Sequence, residues 1–488
     1  MTALLLLLAC DEPAPRETLQ PVVSQHDAAV RDARRVVLKI DHVERKPPED
    51  EDAPNVVMVV LDTFRADRLA AYGGDPSLAP RLNAFAEGAR VYTEMRSTGS
   101  WTLPSHGSLF TGVHPIEHGA RGSEADKRAR AYKLHDDLPT LAERLAASGW
   151  ITVGVAANRA FLDRNWGLNR GFDVWQCRVL EPVAGVPYVQ GDRIAHVGVQ
   201  AFRYNRNPSP LFLFLNFMDV HTPWIPREGY TKDPSRIDPL LLPQGGAWDE
   251  PSYWGKTRRA VLSEKRAPTA LELSTWEESY DAEVRYLDEQ FGALLDGLER
   301  HGFDDDDYLV VLSDHGEFLG EHNLIEHSKD LYEEVLEVPL LIRGPGFEPG
   351  IDTTPLTTAD VPDLLLSALG LSPLAADPGD PELQVSELYW SRHRDLAWRD
   401  VAARFDRIKR SFRDGDHKLM LGENGEEQAF DLGADPRELS SVLDSAGWVP
   451  ALRARADAWM TSRQLRTGEA VELDAEAEAQ LRALGYVD

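Results

Sequence analysis

The chain of 488 residues is 42% hydrophobic and 27% charged, a balance that supports a sizeable buried core in one large domain or two unequal ones. Its formal net charge of −29 argues against recognition of a nucleic-acid backbone, which needs a basic footprint, so an anionic substrate must be drawn in by local cations or a metal. Two cysteines, Cys10 and Cys177, are too few for a disulfide framework or a zinc-thiolate site.

Residues 1–10, MTALLLLLAC, form a short apolar run ending in Leu-Leu-Ala-Cys, with no Lys or Arg before it. The run is similar to a bacterial lipoprotein signal with Cys10 as the lipidated residue. That expectation puts the protein in the cell envelope, periplasmic or at the outer surface, held to a membrane only through Cys10. No later window reaches the roughly 20 apolar residues of a membrane span.

Residues 11–54 are rich in Pro, Glu, Asp and Arg and close on PPEDEDAP, the composition of a linker. Order is expected from Asn55. NVVMVVLD (55–62) is a continuous apolar run closed by an acid, as in a strand buried on both faces of a parallel sheet. Residues 81–89 and 138–150 have helical spacing and glycine stops. Between them SWTLPSHGSLFTG (100–112) suggests a helix that starts at Pro104. Thr102 then stands just ahead of the free amides and the positive end of the helix dipole, where an anion would be stabilised. Its ordinary role there is near a helix cap; its chemical role would be a hydroxyl nucleophile activated by a metal.

ITVGVAA (151–157) and LFLFLNF (211–217) are further buried strands. Residues 225–270, with many Pro, Gly and Trp, are expected to be loop-like and to line an entrance, where Trp224, Trp248 and Trp254 could stack on a sugar or aryl ring or simply pack. Residues 271–302 form a long amphipathic helix stopped by Gly302, followed by strands at 308–314 and 338–346. Alternation of buried strands with helices predicts an α/β fold with a doubly wound, mostly parallel sheet in a catalytic domain of residues 55–375. Residues 376–488 change character: antiparallel hairpins over 404–432 and a helix over 448–464 predict a smaller α+β subdomain.

Three of the buried strands run into polar residues: Asp62, then Asp219 and His221 in FMDVHTP, then Asp314 and His315. In an open α/β sheet such strand ends meet at the ligand crevice, and acids with an imidazole there suit a divalent metal. The segment 313–334 also carries Glu317, Glu321, His322, His327 and Lys329. Solvated side chains are expected for Glu321 and His322, whereas Lys329 beside a metal could hold a substrate oxyanion. Asp219 and His327 leave room for a second metal without requiring one.

The blocks NVVMVVLDTFRADRLAAYG, TLPSHGSLFTG, MDVHTPW, SDHGEFLGEH, HSKDLYEEVLEVPLLIRGPG and KLMLGENGEEQAFDLGADPRE, with the terminal LRALGYVD, resemble the sulfatase family of the alkaline phosphatase superfamily, in family order. The resemblance implies one divalent metal held by Asp62, Asp314 and His315, with Thr102 both bound to it and acting as nucleophile. It implies that His221 and Lys329 bind the substrate's anionic oxygens or assist the leaving group. His106 stands where sulfatases have an arginine, and is either a contact of Thr102 or a plain helix-start residue.

Sulfatases proper have Cys or Ser at the position of Thr102, oxidised to formylglycine; no formylglycine is expected from threonine. Asp314-His315 replaces the usual Asp-Asn, and imidazole favours manganese or zinc, with calcium as the lesser candidate. Threonine nucleophiles with Asp and His ligands resemble the phosphoryl-handling branch: phosphodiesterases, and the commonly membrane-spanning transferases that move phosphoglycerol or phosphoethanolamine groups. Hydrolysis of a phospho(di)ester or phosphonate ester is therefore expected. The expected substrate is an anionic ester of a small molecule, lipid headgroup or glycan. The alternatives are a sulfuric ester hydrolase that uses Thr102 directly, and a non-catalytic lipid-anchored protein that binds anions or glycans.

Overall fold

The apolar runs lie side by side in an eight-stranded sheet. The computed structural model describes residues 43, 45–48, 52–122, 131–177, 188–205, 209–243, 252–374, 379–390, 393–466, 468–471, 473–484 and 486. The run ending in Cys10, most of the linker, and Trp248 lie outside the described residues.

In chain order the sheet strands are β1 (Val56–Leu61), β2 (Arg90–Tyr92), β3 (Ile151–Ala156), β4 (Val174–Gln176), β5 (Leu211–Phe217), β6 (Tyr308–Leu312), β7 (Leu340–Arg343) and β8 (Gly350–Asp352). They are ordered β8-β2-β7-β6-β1-β5-β3-β4. Every residue of β1, β3, β5 and β6 is buried, as continuous apolar runs in a sheet covered on both faces require. Each fully buried Val or Leu there contributes roughly 1.5–3 kcal/mol of transfer free energy.

Strands β6, β1, β5, β3 and β4 run parallel, so their carboxyl ends share one edge. Strand β7 is antiparallel to both β6 and β2, which points the end of VPLLIRGPG away from that edge.

The helices that bear on the site are α1 (Pro80–Glu87), α2 (Thr102–Thr111), α3 (Leu141–Ala147), α4 (Gly191–Tyr204), α5 (Tyr253–Leu262) and α6 (Ala270–Arg300). Two differ from expectation. Helix α2 begins at Thr102, not Pro104, and extended Trp101 precedes it. Proline is tolerated at the third helical position because the first four amides of a helix have no intrahelical acceptor in any case. Helix α5 lies inside the stretch expected to be loop-like; the Ser252 hydroxyl caps it by accepting from the Gly255 amide at 2.9 Å. Trp224 and Trp254 are buried in the core, where they pack instead of facing an entrance.

Beyond this domain, β9 (Gln384–Tyr389), β10 (Ile408–Asp414), β11 (His417–Gly422) and β12 (Glu427–Asp431) form an antiparallel sheet in sequence order. Gly415, at φ 57°, turns β10 into β11 in the left-handed conformation that glycine adopts freely. With α7 (Val449–Ser462) this sheet encloses a second core that includes Val385, Phe412, Leu419 and Trp459. The final helix, α8 (Ala475–Ala483), returns to the first domain: Leu481, Leu484 and Tyr486 belong to the main core. Strand β9 reaches the segment ahead of α2, where the Glu387 amide donates to the Thr98 carbonyl at 2.9 Å and the Ser386 hydroxyl to the Ser97 carbonyl at 2.6 Å. Among the described residues no helix is long and apolar enough to cross a membrane.

Candidate metal centre and active site

Four adjacent strand ends converge at the carboxyl edge. Asp62 follows β1, Asp314 and His315 follow β6, His221 follows β5, and Asn158 follows β3. Asp62, Asp314 and His315 are fully buried and present one ligand atom each, all within 4.8 Å of one another. It is the one such group among the described residues.

Each acid uses one oxygen to anchor itself and aims the other inward. Asp62 Oδ2 accepts from Asn158 Nδ2 at 3.1 Å and from Asn216 Nδ2 at 3.4 Å; Oδ1 has no hydrogen-bond partner among the described residues. Asp314 Oδ1 accepts from the amides of Thr63 at 3.2 Å and His315 at 2.9 Å; Oδ2 likewise has no such partner. His315 Nδ1 donates to the Gly316 carbonyl at 2.9 Å, so Nε2 carries the lone pair. That nitrogen lies 3.5 Å from Asp314 Oδ2 and 3.9 Å from Asp62 Oδ1.

Burial pushes the Asp62 carboxyl up to about 7, against the lowering effect of the two asparagine donors. Burial, then the charge of Asp62, drives Asp314 well above the usual carboxylate range. Two desolvated carboxylates facing each other are costly as anions unless a cation sits between them. The inward-facing oxygens and the oriented imidazole therefore fit a divalent metal, the donor set expected of a metal-dependent family.

Thr102 is fully buried at the first position of α2, whose N-cap residue, Trp101, contributes no side-chain cap. Its Oγ1 accepts from Asn158 Nδ2 at 3.3 Å, the same nitrogen that donates to Asp62. The amide's orientation is fixed, because Asn158 Oδ1 accepts from the backbone of Ala160 and Phe161 at 3.2 and 3.0 Å. The helix is tied to the metal ligands by the Ser105 hydroxyl, which donates to the Asp314 carbonyl at 2.6 Å.

His106 reaches the backbone of Thr102: Nδ1 donates to the Thr102 carbonyl at 3.0 Å and lies 3.4 Å from Asp314 Oδ2. Burial holds its pKa down to about 4, so the ring is neutral at neutral pH. Thr63 turns its hydroxyl to the Asp62 carbonyl at 2.7 Å. Its left-handed φ of 60° is the kind of local strain held by surrounding contacts at functional sites.

His327 stands beside the metal group and His221 beside His327, while Lys329 contacts the backbone of His327. His221 Nδ1 donates to the Thr222 carbonyl at 2.5 Å. The His327 ring lies 4.6 Å from that of His315 and 4.8 Å from that of His221, and its Nδ1 is 2.9 Å from Glu317 Oε1. Lys329 Nζ donates to the His327 carbonyl at 2.9 Å and is paired with Asp395 at 2.7 Å and Glu326 at 3.5 Å.

Glu321 pairs with Arg65 at 2.7 Å and His322 stacks on Tyr332 at 3.7 Å, so both are structural. Asp219 Oδ1 accepts the Gly191 amide at 2.9 Å and lies 3.7 Å from Arg227 Nη2, and Asp219 is not part of the Asp-Asp-His group. Sequence reasoning missed Asn158, although ITVGVAAN ends on a polar residue just as NVVMVVLD does.

A family model described as Sulfatase matches residues 54–371. The choline-sulfatase of Rhizobium meliloti is 24% identical over 438 residues, covering 80% of this chain and 83% of that protein. The ulvan-active sulfatase of Formosa agariphila is 25% identical over 374 residues, covering 71% and 67%. Among solved structures, the phosphonate monoester hydrolase of Agrobacterium radiobacter superposes with a TM-score of 0.62 at 19% identity, covering 84% of this chain and 95% of that one. With its mostly parallel sheet and an Asp-Asp-His group suited to a metal, this chain belongs to the sulfatase family of hydrolases in the alkaline phosphatase superfamily.

Proposed function

We propose that the protein hydrolyses phosphodiesters or phosphonate esters, with Thr102 as nucleophile. One observation carries this reading: the hydroxyl of a threonine, which is not a formylglycine precursor, shares the Asn158 amide with Asp62 at the start of α2. The resemblance in fold to a phosphonate monoester hydrolase supports it.

Asp62, Asp314 and His315 would hold a divalent cation, whose positive charge would acidify a neighbouring hydroxyl and neutralise the ester's anionic oxygens. Manganese or zinc suits the imidazole ligand. Thr102 gives its proton to water, and Asn158 Nδ2 hydrogen-bonds the resulting alkoxide. The alkoxide attacks phosphorus in line while the uncapped amides at the start of α2 and Lys329 face the equatorial oxygens. The bond to the leaving oxygen breaks with its electron pair on that oxygen, which takes a proton from His221 Nε2. Water then displaces Thr102 from phosphorus. His106 positions Thr102 through its carbonyl.

Sulfate ester hydrolysis is the second reading, favoured by the printed activities of the sequence relatives. Purified protein loaded in turn with manganese, zinc and calcium is assayed on 4-nitrophenyl phenylphosphonate, bis(4-nitrophenyl) phosphate, 4-nitrophenyl phosphate and 4-nitrophenyl sulfate. Higher kcat/KM for the diester or phosphonate is the expected result; a preference for the sulfate selects the second reading.

A further inference from the structure

The C-terminal segment places a phenol among the site histidines. Tyr486 is 5% exposed, and its Oη lies 2.5 Å from His327 Nε2 and 3.3 Å from His221 Nε2. The residue is docked, not draped. Its amide donates to the Leu481 carbonyl at 2.9 Å, and its ring meets Phe161 edge-on at 4.6 Å. Helix α8 is capped by Asp474, which accepts from the Ala477 amide at 2.8 Å. The same helix is fastened to the catalytic edge by Glu476, which pairs at 2.7 Å with Arg159, the neighbour of Asn158.

The hydrogen-bond roles around this phenol follow from its fixed partners. A carboxylate only accepts, so His327 Nδ1 carries the hydrogen directed at Glu317 Oε1, and Nε2 presents a lone pair. The phenolic hydrogen is then committed to His327, at the shorter of the two contacts. Tyr486 meets His221 with oxygen lone pairs, and His221 Nδ1 is already engaged as donor to the Thr222 carbonyl. A hydrogen on His221 Nε2 is therefore the arrangement that fits these contacts, and the ring is held at both ends. At 3.3 Å this last contact is the weakest of the series and the one a substrate oxygen can displace.

We propose that Tyr486 is a positioning residue, delivered by the C-terminal helix, which orients His221 so that its Nε2–H faces the leaving oxygen. The inference rests on the ester hydrolysis proposed above. In the step it serves, the phosphorus–oxygen bond breaks with its electron pair on the leaving oxygen, and that oxygen takes the Nε2 proton, leaving His221 neutral. Tyr486 touches neither phosphorus nor the leaving group.

The test uses Tyr486→Phe in the zinc-loaded protein, which keeps the ring against Phe161 and removes only the hydroxyl. Rates are compared on 4-nitrophenyl and phenyl esters of phenylphosphonic acid, which differ in how much the leaving oxygen needs a proton. The expected result is a kcat loss about tenfold larger on the phenyl ester than on the nitrophenyl ester, with KM little changed. Equal losses on both esters, or none, would overturn the proposal. Independently of turnover, the imidazole ¹⁵N resonances of His327 and His221 are expected to shift in the variant; unchanged resonances also overturn it. Wild-type protein that hydrolyses neither ester would overturn phosphonate ester hydrolysis, and the imidazole resonances then decide alone whether Tyr486 orients the two rings.

Discussion

The Thr102 hydroxyl and the Asp62 carboxylate are joined through a single atom, Nδ2 of Asn158, at 3.3 and 3.1 Å. This amide fixes the proposed nucleophile relative to the candidate metal group. In Asn158→Ala, Asp62 Oδ2 keeps only the longer contact from Asn216, and Thr102 loses its donor. Loss of one preorganised donor of this kind costs about 10²–10³ in kcat. Steady-state kinetics of the variant are expected to show that loss with KM changed far less; kcat within a few fold of wild type would remove Asn158 from the mechanism.

Thr102→Ala is expected to lower kcat by at least about 10³ while leaving the melting temperature within a few degrees, since the nucleophile is lost and one buried hydroxyl and methyl are removed. Thr102→Ser keeps the hydroxyl and is expected to retain most of the phosphonate or diester activity. Mass spectrometry of protein quenched during turnover should find a phosphoryl or phosphonyl group on Thr102 and none in the alanine variant.

Metal affinity is expected to depend on pH with a definite sign. Asp62 is pushed up to about 7 and Asp314 well above its usual range, so below neutrality a cation must displace protons to bind. Affinity for zinc or manganese therefore rises with pH through the Asp62 range and goes on rising until Asp314 has also lost its proton. The metal-free protein behaves in the opposite way. A carboxyl whose pKa is raised by folding stabilises the fold while protonated, so stability falls as pH climbs from the unfolded value of 3.8 towards about 7. Thermal melts of metal-stripped protein between pH 4.5 and pH 8 should show this decline, and Asp62→Asn should flatten it. A rise in stability across that window would contradict the burial argument.

The residues legible in the sequence are those whose chemistry and chain position both stand out. Asp62, Asp314, His315 and His221 follow apolar runs directly, and parallel packing of adjacent strands does the rest. Asn158 obeys the same strand-end rule but cannot titrate and makes a poor ligand, so its type gives no signal. Lys329 is visible, yet its burial between Asp395 and Glu326 is not, because the pairing spans separate elements. Tyr486 is the extreme case. It reaches the site only through the docking of α8 on the main core, which no local pattern encodes.

Arg258 of helix α5 and Lys329 share the carboxylates of Glu326 and Asp395, all four side chains being completely buried. The arginine donates to Glu326 through Nε and Nη2 at 3.1 and 3.0 Å and pairs with Asp395 as well. Buried ions are tolerable only when their charges balance locally, and removing one partner costs about 3–5 kcal/mol because an uncompensated charge remains. Arg258→Met is thus expected to destabilise the protein by that amount in urea unfolding, although the methionine fits the volume of the arginine stem. The effect on activity follows from Lys329. With the arginine gone, both carboxylates turn to the lysine, and its ammonium is drawn away from the anionic oxygens it is proposed to face. Inhibition by inorganic phosphate should weaken in parallel with the rise in KM for the ester. The double variant Arg258→Met with Asp395→Asn removes one charge of each sign and is expected to recover part of both losses. Recovery in neither would show that the four groups do not act as one charge-balanced unit.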